Sequence, residues 1–273
     1  MRADIAKSAL GYLAEFHCHT RRSHDGFTSE EELLQACRTK GIGLLTITEH
    51  DRLPAVDVQR FAGAGVQIIP GCEFTCDRGS HIIGLFIQHA LGKGRPAREI
   101  FAHIIGQGGV ILIPHPFKEG SGFCALHDDH DDYLPQASLI ELYNGGVREQ
   151  RTQLARVCAL AVRHRLKTVA ASDAHKANQV GYYVTAYPEL IGGDVRTTLC
   201  GSQGRLLIDT SYLHRPRSLK GLQRLPTYQR LVTRLPRGAK RLLQLGLYRG
   251  RPRSHLPRQA HYVELSQEIN SAS

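Results

Sequence analysis

Short apolar runs recur along residues 1–211, and most of them end in, or are followed within three residues by, a histidine or an acid. Tyr12–His17, Leu44–Thr48, Val66–Pro70, His81–Ile87, Val110–Ile113, Leu139–Leu142 and Thr168–Ala171 have the length and bounded apolar character of buried strands. Segments with helical signals lie between them. Ser29 followed by Glu32 forms a capping box, which predicts a helix over Glu30–Lys40 that stops at Gly41. Further helices are expected over Ala55–Ala62, Ala97–Gly106 and Glu149–Arg165. Strands spaced at helix-sized intervals imply parallel β/α units, an α/β barrel, and functional side chains gathered at the strands' C-terminal ends.

The residues at those ends are metal-ligand types. His17 and His19 are two apart on a strand and share a side, whereas Cys18 points the other way. Two imidazoles on one face suit Zn²⁺, Mn²⁺ or Fe²⁺, and Glu15 is an acid near enough to orient them. In Ser23-His24-Asp25-Gly26 either His24 or Asp25 offers a ligand, and Asp-Gly also makes a turn. His50 is flanked by Glu49 and Asp51, as a ligand with orienting acids would be. Asp51 also reads as a helix N-cap before Pro54. Glu73 ends a strand with a carboxylate able to bridge two cations. His81, at a strand start, reads by itself as structural. His115 sits between two prolines, which fix its backbone, and Lys118 can meet a phosphoryl oxygen as a point charge. Glu141 is open between ligand, orienting acid and partner of a basic group. Asp173 and His175 repeat the same-side spacing.

Charge divides the chain. Residues 1–211 carry 22 Lys and Arg against 23 Asp and Glu, so that part is close to neutral. Residues 212–273 carry 13 against two acids, Glu264 and Glu268. The expected organisation is therefore a barrel over 1–211 and a basic Arg/Leu/Pro-rich extension over 212–273. The acid-free stretch 212–263 would suit an anionic membrane surface, a nucleic acid or an acidic partner, and residues 238–245 read as a short basic amphipathic helix. The alternative is a helical appendage with solvated arginines. Seven scattered cysteines without a CxxC pair fit a reducing compartment. No transmembrane-length apolar run and no secretory h-region occurs, so a cytoplasmic protein is expected.

Taken in series, His17-Cys18-His19-Thr20, Ser23-His24-Asp25-Gly26, Thr48-Glu49-His50-Asp51, Gly71-Cys72-Glu73, His81, Pro114-His115-Pro116, Ile140-Glu141-Leu142-Tyr143-Asn144-Gly145 and Ser172-Asp173-Ala174-His175 resemble the PHP family, the polymerase and histidinol phosphatase phosphoesterases, in its small stand-alone form. The resemblance spans about residues 13–187. It implies a distorted, TIM-like barrel of seven strands with two or three divalent ions (Mn, Fe or Zn) at its mouth. By the same resemblance His17, His19, Glu73 and Asp173 would hold one ion, Glu73, His81 and His115 a second, and Asp25, His50 and His175 a third. The implied activity is metal-dependent hydrolysis of a phosphate ester, with Glu73, Asp173 and His175 at the reacting atoms and Lys118 on the substrate. That substrate would be a nucleotide, an oligonucleotide or a small phosphorylated metabolite. The alternatives are an amidohydrolase-type metal hydrolase and a non-catalytic protein acting through its basic extension. Glu15 and Glu49 stand where the family usually has Asp. An insertion over Phe117–Tyr133 carries His127-Asp128-Asp129-His130-Asp131-Asp132 and reads as a solvated loop, with a mobile lid or an added cation site as alternatives.

Overall fold

The computed structural model describes residues 5–147, 150–213 and 259–265. In chain order the elements are β1 (Tyr12–Glu15), α1 (Glu30–Lys40), β2 (Ile42–Ile47), α2 (Val58–Gly63), β3 (Gln67–Thr75), β4 (His81–Leu85), α3 (Ala97–Gly106) and β5 (Val110–Ile113). They continue with α4 (Phe123–Leu126), α5 (His130–Tyr133), β6 (Leu139–Asn144), α6 (Arg151–His164), β7 (Lys167–Ala171), β8 (Tyr183–Tyr187), α7 (Val195–Gly201), β9 (Arg205–Asp209), α8 (Thr210–Leu213) and β10 (Tyr262–Glu264). The capping box forms as expected. Ser29 Oγ accepts from the Glu32 N–H while the Glu32 carboxylate accepts from the Ser29 N–H, and Gly41 closes α1 in the left-handed conformation. Asp57, not Asp51, caps α2 by accepting from the Arg60 N–H, so that helix begins later than expected.

The strands form one curled, mixed sheet in the order β10-β9-β8-β1-β2-β3-β4-β5-β6-β7. The expectation of seven strands is corrected to ten, and that of uniformly parallel units to a mixed sheet. β1–β2–β3 and β5–β6–β7 are parallel runs. β4 is antiparallel to both its neighbours. Residues 76–80 cannot span a parallel crossover, which needs a dozen residues or more, so the chain turns straight back. That reversal explains His81. A strand running against the others begins where they end, which places His81 at the mouth with the other candidates.

Inside the curl a packed cluster draws side chains from β1 to β8, among them Ala14, Leu44, Ile69, Ile83, Leu112, Leu139, Val169 and Tyr187. Two further apolar clusters lie elsewhere in the fold. One contains Leu33, Leu34 and Cys37 of α1, and the other Ile100, Phe101 and Ile104 of α3. At the mouth the strand extensions of β1 and β7 meet in a parallel bridge between Cys18 and Ala174. Lower down, Thr185 of β8 links to β7, its Oγ1 accepting from the Ala170 N–H at 2.9 Å and donating to the Ala170 carbonyl at 3.2 Å. The site therefore rests on a filled interior rather than over a pore.

The insertion is not a solvated loop. It folds into α4 and α5, buries Phe123 and Cys124 in the core, and inserts His127 against Phe123. Beyond the expected last strand, β8 and β9 continue the sheet. β10 then pairs antiparallel with β9, Tyr262 opposite Asp209, and the Tyr262 hydroxyl donates to the Gly181 carbonyl at 3.1 Å. A division at residue 211 leaves β10 on the far side from its sheet partner. The segment 238–245 and the expected helix start at Glu149 lie outside the described residues. All seven cysteines are free thiols. Among the described residues no helix is long and apolar enough to cross a membrane.

Candidate metal centre

All nine candidate ligands converge at the mouth. His17 and His19 leave β1, His50 leaves β2, Glu73 lies on β3, His81 opens β4, His115 follows β5, and Asp173 and His175 follow β7. Asp25 comes from the loop before α1. Four overlapping sets bring their donor atoms within 4.8 Å of one another: His17, His19 and Asp173; His17, Glu73 and His115; His50, Glu73 and His81; and His19, Asp25, His50 and His175. Glu73 sits at the centre. Its Oε2 is 3.3 Å from each of His17 Nε2, His19 Nε2 and His50 Nδ1. Its Oε1 is 2.8 Å from His81 Nδ1 and 3.3 Å from His115 Nε2. One carboxylate thus faces two groups of imidazoles, one with each oxygen. Of His24 and Asp25, the geometry brings Asp25 into the cluster. Asp25 Oδ2 lies 3.0 Å from His175 Nε2 and 3.5 Å from His50 Nε2, whereas the His24 side chain is 72% exposed.

A ring of hydrogen bonds fixes how the imidazoles point. His17 Nδ1 donates to Glu141 Oε1 at 2.8 Å, and Glu141 Oε2 accepts the His115 N–H at 2.7 Å and the Asn144 amide at 2.7 Å. Glu141 is therefore the orienting acid, the middle of its three open readings. Ser23 Oγ donates to Glu49 Oε2 at 2.5 Å. Its lone pairs are then left to accept His19 Nδ1–H at 3.2 Å and the His50 N–H at 3.1 Å. His175 Nδ1–H donates to the Asp173 carbonyl at 2.9 Å. In each case the outward nitrogen is held as a donor, which leaves the inward one free to present a lone pair once a metal displaces its proton, as ligand imidazoles require. Glu15 works on the backbone, accepting the N–H groups of His17, Ser172 and Gly181. Asp51 likewise ties the ends of β2 and β3 by accepting from the Thr75 N–H at 2.7 Å and hydroxyl at 3.0 Å.

Two of the nine stand in strained backbone. His115 has φ 28° and Asp173 φ 47°, both in the left-handed region that non-glycine residues avoid. Such strain persists where the surroundings over-determine it, commonly at functional sites. Gly146 shows how tightly Asp173 is enclosed, since a Cβ there would meet Asp173 Oδ2 at 2.3 Å.

The electrostatics fit a cation. Burial opposes charge on the Glu73 and Asp173 carboxyls, yet the surrounding imidazoles, with Lys118 beside Asp173, hold both well below the usual carboxylate range. Burial likewise opposes charge on His17, but Glu73, Asp173 and Glu141 outweigh it and raise that imidazole well above its ordinary value. His17 Nε2, His19 Nε2, Asp25 Oδ1, His50 Nδ1, His81 Nδ1 and His115 Nδ1 are buried without a hydrogen-bond partner. A buried orphan of this kind costs about 1–3 kcal/mol, and native folds seldom tolerate several together. Divalent ions held by His17 Nε2, His19 Nε2, His50 Nδ1 and His81 Nδ1, the four of these atoms that face Glu73, would remove that cost there, and the mixed imidazole and carboxylate set suits Zn²⁺, Mn²⁺ or Fe²⁺. Lys118 reaches the cluster from the rim, its Nζ 3.1 Å from Asp173 Oδ2.

The sequence reading missed Ser23, Asn144 and Gly146. Ser23 stood within a noted motif, but its role depends on Glu49, far along the chain. Gly145-Gly146 after a strand-end Asn was a usable signal of close backbone approach.

Comparison with known proteins adds independent support. A family model described as the PHP domain matches residues 15–99, and one described as PHP-associated matches residues 151–194. The chain is 29% identical over 117 residues to an uncharacterised protein of Methanocaldococcus jannaschii, covering 38% of this chain and 68% of that one. It is 33% identical over 76 residues to a 5'-3' exoribonuclease of Haemophilus influenzae, covering 26% of this chain and 27% of that enzyme. Among solved structures, a two-domain protein of Bacteroides vulgatus, described as containing a predicted PHP-like metal-dependent phosphoesterase, superposes with a TM-score of 0.56 at 16% identity. That match covers 76% of this chain and 68% of the other, and at such identity the likeness is one of fold.

Proposed function

This chain belongs to the PHP family, and on that premise we propose that it is a metal-dependent phosphoesterase that hydrolyses a phosphate ester at the mouth of the curled sheet. One observation carries the reading: nine ligand-type side chains meet there, with the inward nitrogens of His17, His19, His50 and His81 left unpaired and the outward ones of His17, His19 and His175 held by Glu141, Ser23 and the Asp173 carbonyl. Divalent ions bound by these residues would supply an activated water and neutralise the phosphoryl oxygens. The chain's own groups do the rest. Glu73 sets its two oxygens between the two groups of imidazoles. Asp173 turns Oδ1 toward His17 and His19 and Oδ2 toward Lys118. The Lys118 ammonium, kept charged by Asp173 against the effect of burial, is partly exposed at the rim and can pair with an entering phosphoryl oxygen. His175, also at the rim, holds Nε2 toward Asp25. Glu73, Asp173 and His175 are the groups placed against the reacting atoms.

For the substrate, the similarity to a 5'-3' exoribonuclease over 76 residues favours an oligonucleotide within the wider class of nucleotides and phosphorylated metabolites. The basic composition of residues 214–258 favours the same class, because cationic segments attract polyanions. The test is a panel of phosphomonoesters, nucleotides and 5'-phosphorylated oligonucleotides with Mn²⁺, Fe²⁺ or Zn²⁺. Hydrolysis of at least one class, abolished by a chelator, is expected. No turnover by metal-loaded protein on any of them overturns the reading.

A further inference from the structure

The insertion of residues 117–133 has no place in the chemistry above, yet it is built into the wall of the metal centre. His81 opens β4, and its backbone N–H donates out of the sheet to the Ser121 carbonyl at 2.9 Å. The preceding residue, Ser80, is fully buried. Successive side chains of an extended segment point to opposite faces, so while His81 faces Glu73, Ser80 faces the insertion. There its Oγ meets His127 Nε2 at 2.9 Å, and its carbonyl accepts the Cys76 N–H at 2.8 Å.

His127 is itself immobilised. It is 3% exposed and stacks on Phe123 at 4.4 Å between ring centroids. Phe123 in turn packs against Phe101 of α3 and Tyr133 of α5. A histidine sunk in an apolar wall with its nitrogen on a buried serine is a tether to that serine's backbone. The residue at the other end of this backbone step carries a ring 2.8 Å from Glu73.

We infer that His127 is a positioning residue of the metal centre: through Ser80, and together with the Ser121 carbonyl, it fixes the strand start that aims His81 at Glu73. The inference rests on the proposed role of His81 as a ligand. It assigns the insertion a structural duty at the site and removes the need for a lid or an added cation site.

The test is calorimetric Mn²⁺ titration of the full chain as wild type, Ser80→Ala, His127→Phe, the double variant and His127→Gln. Phe keeps an aromatic ring for the stacking while deleting the hydrogen bond, and Gln, which is smaller, keeps a polar group at similar reach. Loss of groups that orient ligands commonly costs ten- to a hundredfold in metal affinity. Acting one step further out, each single variant is expected to weaken one binding event about tenfold. The double variant should be no worse than either single one, because both remove the same bond, and His127→Gln should recover most of the loss. Wild-type affinity in His127→Phe, or losses that add in the double variant, overturns the inference. If His127→Phe does not fold, Ser80→Ala decides, and unchanged binding there overturns it. A wild type that binds ions but hydrolyses no ester contradicts the proposed function alone. A wild type that binds none contradicts both.

Discussion

Replacing Glu73 by Gln removes one charge and leaves the volume almost unchanged, so its effect is readable as electrostatics. The carboxylate is buried and its oxygens face imidazole nitrogens of His17, His19, His50, His81 and His115 at 2.8–3.3 Å. The amide puts an N–H donor where one of these oxygens shared the nitrogens' cation. Two unit charges about 4 Å apart interact by about 4 kcal/mol at an effective dielectric of ~20. At 1.4 kcal/mol per decade that is about a thousandfold in binding constant. Relaxation and entering water reduce it, so a loss of ~10²–10³ in Mn²⁺ affinity is expected, with kcat/KM falling at least as far at fixed metal. The assay is competition with a fluorescent chelator, run beside hydrolysis of a chromogenic phosphate ester and a circular dichroism check of folding. Folded Glu73→Gln that binds Mn²⁺ and turns over like wild type would refute the bridging role.

Glu141→Gln, which disturbs the partner of His17 Nδ1 and of the His115 N–H, should lower kcat/KM by about 10–100-fold while Lys118 and Glu73 remain in place; steady-state kinetics at saturating metal check this. The raised pKa of His17 means that the metal-free fold keeps its imidazole protonated to higher pH than an ordinary imidazole. Its stabilising contribution is fully present below the ordinary imidazole value and is lost as pH rises through the higher folded value. Metal must displace that proton, so Mn²⁺ affinity should rise with pH and binding should release protons, seen as buffer-dependent calorimetric heat; heat independent of the buffer would contradict it. Residues 214–258 hold all 13 basic residues that follow residue 211 and no acid. Excising them while keeping residues 259–265, so that β10 still pairs with β9, should leave small-ester hydrolysis within about threefold. The same excision should weaken oligonucleotide binding and flatten its salt dependence. A ~100-fold drop on the small ester would make that stretch part of the active site.

Much of the architecture was legible because local signals agreed with the global fold. Ser29, Glu32 and Gly41 bracket α1 as read, and Ala97–Gly106 forms α3 with the expected bounds. The ligand types at the ends of apolar runs located the mouth, since strand ends in such sheets share one side. The sense of β4 was not inferred, although the shortness of residues 76–80 could have excluded a crossover. β8 and β9 escaped notice because no ligand motif marks Tyr183–Tyr187 or Arg205–Asp209, yet both are short and mostly apolar. The insertion misled because its run of His and Asp hides Phe123 and Cys124, the residues that root it in the core. The roles of Glu141, Ser23 and His127 depend on partners distant in sequence, His17, Glu49 and Ser80, which no local pattern pairs.

Metal content per folded chain tests the central claim most directly. Protein purified without oxygen, supplied with Mn²⁺ and freed of unbound ion should retain about two or three divalent ions by elemental analysis, a number that the four overlapping donor sets can accommodate. Less than about one ion per chain, with no rebinding of Mn²⁺, Fe²⁺ or Zn²⁺, would contradict the account.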